Sequence, residues 1–305
     1  MSAGSEDPVP ADVERLLGRA IGQWRLLAVL SRNRAGAASV WEVEDPAGHR
    51  WFAKRHWRDL LYERETRAYD EFVPLLGLRR APWIVDRDPA ARLIITSGLQ
   101  GEPLSMVQLT GVQEQGVFRQ AGALAARLHA LAAAPTPASV RDAPSWWQQR
   151  AKALGMAMDL GMSAEDVAVL AAASADPPPP APAVVCHGDF GPRNWIIHQD
   201  GEVRLQLIDF ERTTVEEPTR HDLMRIVYHV TAQRPALAEA FFDGYGRHLT
   251  EAEEAACQAY AALDCPSALK WAIAHRDQEI DSYARRALDL LRASVRPSPT
   301  SRSHK

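Results

Sequence analysis

The sequence predicts an α+β fold in which a small antiparallel sheet precedes a larger, mainly helical region. Three observations carry this expectation. Short apolar runs separated by turn clusters fill the first 97 residues. Beyond them, the chain turns to long stretches of helical pattern. Late in the chain, Trp195-Ile196-Ile197 and a second apolar run, residues 203–208, flank Gln199-Asp200-Gly201-Glu202. Two apolar runs around such a turn predict a hairpin.

Taken in order, residues 11–21 predict a short helix and residues 24–30 a strand. Residues 31–39 form a turn rich in small residues, and residues 40–44 alternate as a strand. Asp45-Pro46-Ala47-Gly48-His49 is a hairpin turn, and residues 50–54 are the returning strand. Residues 59–76 are helical, with Leu60, Leu61, Tyr69, Phe72 and Val73 as the apolar positions. Residues 91–96 give another strand, and residues 97–103, with Gly98 and Gly101, give a hinge. Helices are then expected over residues 112–133, 146–160 and 164–174. Four consecutive prolines, Pro177 to Pro180, favour an extended spacer. Val184-Val185 ends a strand at Cys186. Further helices are expected over residues 222–230, 235–249, 251–263 and 267–293. The Ser-, Pro- and Arg-rich tail, residues 295–305, is expected to be disordered. This divides the chain into a sheet region, residues 1–97, and a helical region, residues 98–294.

Composition narrows the classes of function. The chain has 305 residues, 46% hydrophobic and 24% charged, which is ordinary globular composition. A net charge of -4 offers no basic footprint for nucleic acid. No window approaches the length of an apolar membrane span, and the acidic, Pro-containing start does not resemble a secretory signal. Cys186, Cys257 and Cys265 lack CxxC spacing and are read as reduced, buried thiols of a cytoplasmic protein. A monomer or weak homodimer is expected.

The most informative segment is His187-Gly188-Asp189-Phe190-Gly191-Pro192-Arg193-Asn194, followed by Leu207-Ile208-Asp209-Phe210-Glu211. A hairpin between them would return the chain to its starting end, so Asp189, Asn194 and Asp209 would converge. Carboxylate and amide oxygens suit Mg²⁺, which keeps few protein ligands and leaves room for phosphates. Either motif alone also fits a plain hairpin with polar ends, because Asp and Asn are common in turns. The ordered pair is the stronger signal.

That layout is the catalytic core of kinases, where the first motif of protein kinases reads H-R-D-x-x-x-x-N and the second D-F-G. Gly188 in place of Arg, and Glu211 in place of Gly, make this chain resemble the aminoglycoside phosphotransferase family of small-molecule kinases. The resemblance implies a bilobal protein-kinase-like fold and transfer of the ATP γ-phosphate to a hydroxyl of a small molecule. It implies that Asp189 orients and deprotonates that hydroxyl, and that Asn194 and Asp209 bind Mg²⁺. His187 is chemically suited to be a base, but its family counterpart is structural. His129 matches a helix segment supporting the catalytic loop. Asp222 is read as a helix N-cap.

The remaining kinase parts are less sharply written. Lys54 ends the apolar strand Trp51-Phe52-Ala53-Lys54 and is one of four lysines among 35 basic residues. It stands where the resemblance expects the phosphate-binding lysine. Its partner would be a Glu on the next helix. Glu63 and Glu65 both qualify, and the family pattern favours Glu65. The loop over the phosphates would use Gly36 and Ser39, though a plain turn is a close alternative. Adenine would bond the backbone of Ser97 and Leu99.

The acceptor is a small molecule whose class the motifs leave open. An aminoglycoside or other antibiotic is the first choice, and such polycations would need acids, with Glu211, Glu216, Glu217, Glu279 and Asp281 as candidates. Trp271 and Tyr283 could line a pocket or serve the core. Alternatives are a metabolic kinase of choline, homoserine, methylthioribose or fructosamine type, or a nucleotide-binding pseudokinase. Only about a dozen residues separate Asp209 from the next expected helix, which leaves little platform for a peptide substrate.

Overall fold

The computed structural model describes residues 9–31, 38–131 and 144–295. The chain divides into two compact units. One comprises Met1–Val107 with Asn194–Thr213, and the other Gln108–Arg193 with Thr214–Lys305.

The first unit is built on a five-stranded antiparallel sheet. Its strands are β1 (Arg25–Ser31), β2 (Ser39–Glu44), β3 (Arg50–Arg55), β4 (Ile84–Asp88) and β5 (Leu93–Ser97), in the order β1-β2-β3-β5-β4. Trp41, Val43, Ala53, Leu93 and Ile95 form one buried cluster with Val13, Leu16 and Leu17 of the helix Ala11–Ile21. Strand side chains alternate between faces. Lys54, paired with Val40 and Ile94, therefore belongs to the face opposite that cluster. The helix Asp59–Arg67 continues as a π-turn, Ala68–Phe72, and a 3₁₀ turn, Val73–Leu76. The winding changes where Pro74 removes an amide donor.

The same unit holds a second sheet of β6 (Glu102–Pro103), β8 (Trp195–Asp200) and β9 (Glu202–Leu207). Pairing of Trp195 with Leu207 and Asp200 with Glu202 makes the expected hairpin, with the turn reduced to Gly201.

The second unit is mainly helical. Its long helices are Gly111–His129, Trp146–Asp159, Ala164–Ala173, Pro235–Tyr245, Glu251–His275 and Gln278–Val295. Three of them start with reciprocal capping boxes: Thr110 with Gln113, Ser145 with Gln148, and Thr250 with Glu253. A two-stranded ladder pairs β7 (Val184–Cys186) with β10 (Thr214–Glu216).

Three stretches of the chain depart from the sequence expectation. Strand β4 was not expected, because Ile-Val-Asp-Arg-Asp lacks a clean alternation and lies at a sheet edge. The helix expected to stop before Pro266 runs through it to His275. Ala261, Ala262, Cys265, Pro266 and Leu269 are all buried, so continuous apolar packing outweighs the lost amide bond. The break falls instead at Arg276, in the left-handed region at φ 55. The helix expected over residues 222–230 is a single α-turn followed by π-winding over Arg225–Val230.

All three cysteines are free and buried, and burial pushes each thiol up, Cys265 to about 12. Among the described residues, no helix is long and apolar enough to cross a membrane.

Two glycines let the helices Gly111–His129 and Pro235–Tyr245 approach backbone to backbone. A Cβ on Gly122 would lie 1.9 Å from the Phe241 carbonyl oxygen, and one on Gly244 would lie 1.8 Å from that of Arg119. Backbone cannot move aside as a flexible side chain can. Gly244→Ala is therefore expected to lower stability by about 1–3 kcal/mol, measured by urea unfolding, with Gly116→Ala, where open space surrounds the position, as the tolerant control.

Candidate active site

The first unit gathers charge around Lys54. Its ammonium Nζ lies 2.8 Å from Glu65 Oε2, 2.5 Å from Asp209 Oδ1 and 3.0 Å from Glu211 Oε2. Strand β3, the helix Asp59–Arg67 and the segment after β9 each contribute. Glu65 is 2% exposed whereas Glu63 faces solvent, so the structure brings Glu65 to the lysine. Burial opposes the Glu65 charge, but Lys54 and His56 overcome it and hold its carboxyl down to about 2. Burial likewise opposes the Lys54 charge, and the three carboxylates overcome it and hold the ammonium charged. Glu211 goes the other way. Burial, together with Asp209 and Glu65, pushes its carboxyl up against the pull of Lys54.

Asp209 sits in the left-handed region at φ 64 and opens the 3₁₀ turn Phe210–Arg212. A non-glycine residue there is uncommon and stores strain. Phe210 anchors the turn, buried with its ring 5.5 Å from that of Tyr69 in an edge-on contact. Asn194, also buried, immediately precedes β8, and its carbonyl accepts from the Ile208 amide at 3.1 Å. The hairpin thus brings Asn194 and Asp209 to one end of the small sheet. Three carboxylates around one ammonium leave an excess of negative charge. Asp209 is 36% exposed, and carboxylate and amide oxygens are donors that fit Mg²⁺ chemically.

The second unit holds Asp189 in a loop fixed from behind. Asp222, fully buried, accepts from the backbone amides of His187 at 2.7 Å and Gly188 at 2.8 Å. It also bonds His129 Nε2 at 3.2 Å, and His129 Nδ1 meets the Tyr245 hydroxyl at 2.9 Å. Burial opposes the Asp222 charge, and His129 and His187 hold the carboxyl down. This corrects the N-cap reading of Asp222. The cap position of that turn is His221, without a side-chain cap bond, and the Asp222 carboxylate reaches back to the loop. His187 is sealed from solvent, and its Nδ1 accepts from the Asp189 amide at 3.4 Å. It is placed to shape the loop.

Asp189 itself is 37% exposed and contacts the Arg225 guanidinium through Oδ1. Burial opposes the Arg225 charge, but Asp189, Asp264 and Asp222 overcome it and raise the guanidinium further. Nearby His229, stacked on Tyr283, is pushed down to about 4 by burial and is therefore neutral at pH 7.

The acids considered for a cationic acceptor all have partners within the chain. Glu211 is on Lys54. Glu216 meets His221 at 2.6 Å, and Glu217 accepts from the Tyr260 hydroxyl at 2.8 Å. Glu279 accepts from the Tyr283 hydroxyl at 2.6 Å, and Asp281 pairs with Arg285. Trp271 stacks on His275 at 3.6 Å.

Of the other nucleotide candidates, Gly36 lies outside the described residues. Ser39 is buried at the start of β2, opposite Arg55. Ser97 donates its amide to the Trp83 carbonyl at 3.0 Å and accepts from the Trp83 amide through Oγ at 3.1 Å. That amide is engaged in the sheet, as is that of Gly98, which bonds Arg50 at 2.7 Å. Leu99 follows, half-buried.

Three participants escaped the sequence reading. His56 lies two residues beyond Lys54, a strand spacing that repeats a face. Arg225 lies three beyond Asp222, a helical spacing that does the same. The sequence points to Glu211 as an acceptor acid, whereas the structure makes it a partner of Lys54.

Because the folded pKa of Glu65 is depressed from its ordinary 4.5 to about 2, its contribution to stability is fully present above pH 4.5 and fades as pH falls towards 2. Glu65→Gln is expected to be less stable than the parent at neutral pH, with the gap narrowing over that window. Urea unfolding at a series of pH values measures it. A gap constant across the window would refute the buried ion pair.

Comparison with known proteins bears on the family and the fold. Residues 29–263 match the family model described as "Phosphotransferase enzyme family". No curated protein matches by sequence. The fold is similar to that of a thermostable mutant of the aminoglycoside phosphotransferase APH(4)-Ia, with 16% identity, 93% of this chain and 100% of that chain covered, and a TM-score of 0.63. The macrolide 2'-phosphotransferase MphH of Brachybacterium faecium has 20% identity, with coverage of 88% and 92% and a TM-score of 0.58. The protein solved as the GDP and kanamycin complex of APH(2")-IIia has 13% identity, with coverage of 94% and 100% and a TM-score of 0.61. At such identities the likeness concerns the fold, and the family match over most of the sequence settles membership: this chain belongs to the phosphotransferase enzyme family.

Proposed function

We propose that the protein transfers the γ-phosphate of Mg²⁺-ATP to a hydroxyl of a small molecule. The observation that carries this reading is the Lys54 ammonium held among Glu65, Asp209 and Glu211. It sets a cation suited to phosphate oxygens beside carboxylates suited to a metal. Lys54 would hold the α/β-phosphates, and Glu65 would hold Lys54. Asn194 and Asp209 would bind Mg²⁺, which when present neutralises charge on the phosphates. Asp189 would orient the acceptor hydroxyl and take its proton as the new P–O bond forms. Asp222, by bonding the amides of His187 and Gly188, keeps that loop ordered before any substrate arrives.

The acceptor we favour is an antibiotic, as in the neighbours solved with kanamycin or with ADP and hygromycin B. One observation favours an antibiotic of low charge over a polycationic aminoglycoside. Each acid named as a polycation site is already paired within the chain, and Asp189 carries Arg225. A metabolic hydroxylated acceptor fits the same observation.

The test is phosphate transfer from Mg²⁺-ATP to pooled aminoglycosides, macrolides, nucleoside antibiotics, amino alcohols and sugars, read by product mass. A product heavier by one phosphoryl group, with turnover reduced about 100- to 1,000-fold or more in both Asp189→Ala and Asp209→Ala, is expected. Full activity in Asp209→Ala would remove the metal assignment. Nucleotide binding without transfer to any pool would favour a protein that acts by binding.

A further inference from the structure

His56 has a place in this site that the transfer reading does not use. It follows β3 directly, and its amide continues the pairing with a bond to the Arg92 carbonyl at 3.0 Å. The side chain is buried, with the residue 1% exposed. Its Nδ1 lies 3.1 Å from that same Arg92 carbonyl oxygen, and its Nε2 lies 2.5 Å from Glu65 Oε2.

Both partners are acceptors. A carbonyl oxygen has no proton to give, and the Lys54 ammonium, 2.8 Å from the same Glu65 oxygen, holds Glu65 as a carboxylate against its burial. A neutral imidazole has one N–H, so either tautomer would press a nitrogen lone pair against an oxygen. Only the doubly protonated ring donates on both sides. Among the described residues, the groups facing it are few. They are the Glu65 carboxylate, the Lys54 ammonium beyond it, the Glu211 carboxylate, whose oxygen lies within 4.8 Å of the same cluster, and the Tyr62 ring, edge-on at 5.7 Å. The Arg92 guanidinium is turned to the His56 carbonyl at 3.2 Å and to Asp59 at 3.0 Å.

We infer that His56 is a buried imidazolium that positions Glu65, and through it Lys54, for the nucleotide phosphates. The inference rests on the proposed nucleotide role of Lys54 and extends it. One oxygen, Glu65 Oε2, receives both Lys54 Nζ at 2.8 Å and His56 Nε2 at 2.5 Å. Held from two sides, it has one orientation. Without His56, that oxygen loses its second donor and Glu65 is free to turn. The lysine is then drawn towards Asp209 and Glu211, away from where phosphate oxygens would need it. His56 also raises the local cations to two against three carboxylates.

The test has two arms on the full-length protein. In ¹⁵N NMR of histidine-labelled protein at neutral pH, His56, assigned by its absence in His56→Gln, should show both ring nitrogens protonated. A signal of a neutral tautomer overturns the inference. In parallel, a fluorescent ATP analogue with Mg²⁺ is titrated into wild type, His56→Gln, His56→Phe and Lys54→Ala. His56→Phe should weaken binding about tenfold, the scale on which a group holding a ligating side chain acts. His56→Gln, which keeps a donor towards Glu65, should lie between it and wild type. Weakening in Lys54→Ala with wild-type binding in both His56 variants overturns the positioning role alone. Wild-type binding in Lys54→Ala overturns the nucleotide reading itself, and the positioning role with it. Should His56→Phe fold poorly, the wild-type NMR signature and His56→Gln still decide the matter.

Discussion

A buried ammonium is costly unless opposite charges replace the water it loses, and the first unit is arranged around that requirement. Lys54 is supplied by the sheet, Glu65 by the following helix, and Asp209 and Glu211 by the segment after the hairpin. No one of these elements satisfies the others by itself. The sheet needs its helix packed and its hairpin closed before the lysine has its full set of partners. Two carboxyl groups of the same cluster are moved in opposite directions, Glu65 down and Glu211 up. Such separation is how neighbouring acids acquire different duties.

The second unit answers a different requirement, the order of a loop. Backbone amides of buried turns need acceptors. Asp222 supplies them for His187 and Gly188 from a helical turn remote in sequence. His129 and Tyr245 complete the chain of bonds from two further helices. Those two helices touch through Gly122 and Gly244. The position of the Asp189 loop is thus tied to helix packing as well as to its own residues.

Much of this was legible in the sequence, for physical reasons. Alternation and turn residues marked β2, β3 and the β8–β9 hairpin, because one face of each strand is apolar and their turns require Gly, Asp or Pro. The motif spacing marked Asp189, Asn194 and Asp209. Lys54 stood out because a chain rich in arginine used lysine there. What was hidden depended on tertiary context. Strand β4 is an edge strand with charged residues, so pattern could not reveal it. Pro266 reads as a break until the packing on both sides of it is seen. Asp222 before a helix looks like a cap, and only the fold shows its carboxylate turned to the loop. His56, Glu211 and Arg225 each act through a partner distant in sequence or on another element, which spacing alone does not encode.

The three cysteines have a practical consequence. Each thiol is buried and held in its protonated form, whereas disulfide exchange and alkylation require an accessible thiolate. The native protein should therefore be blind to thiol reagents until it opens. Reagent uptake becomes a clock for unfolding, and a cysteine engineered onto the surface could carry a spectroscopic label with all three natural thiols left in place.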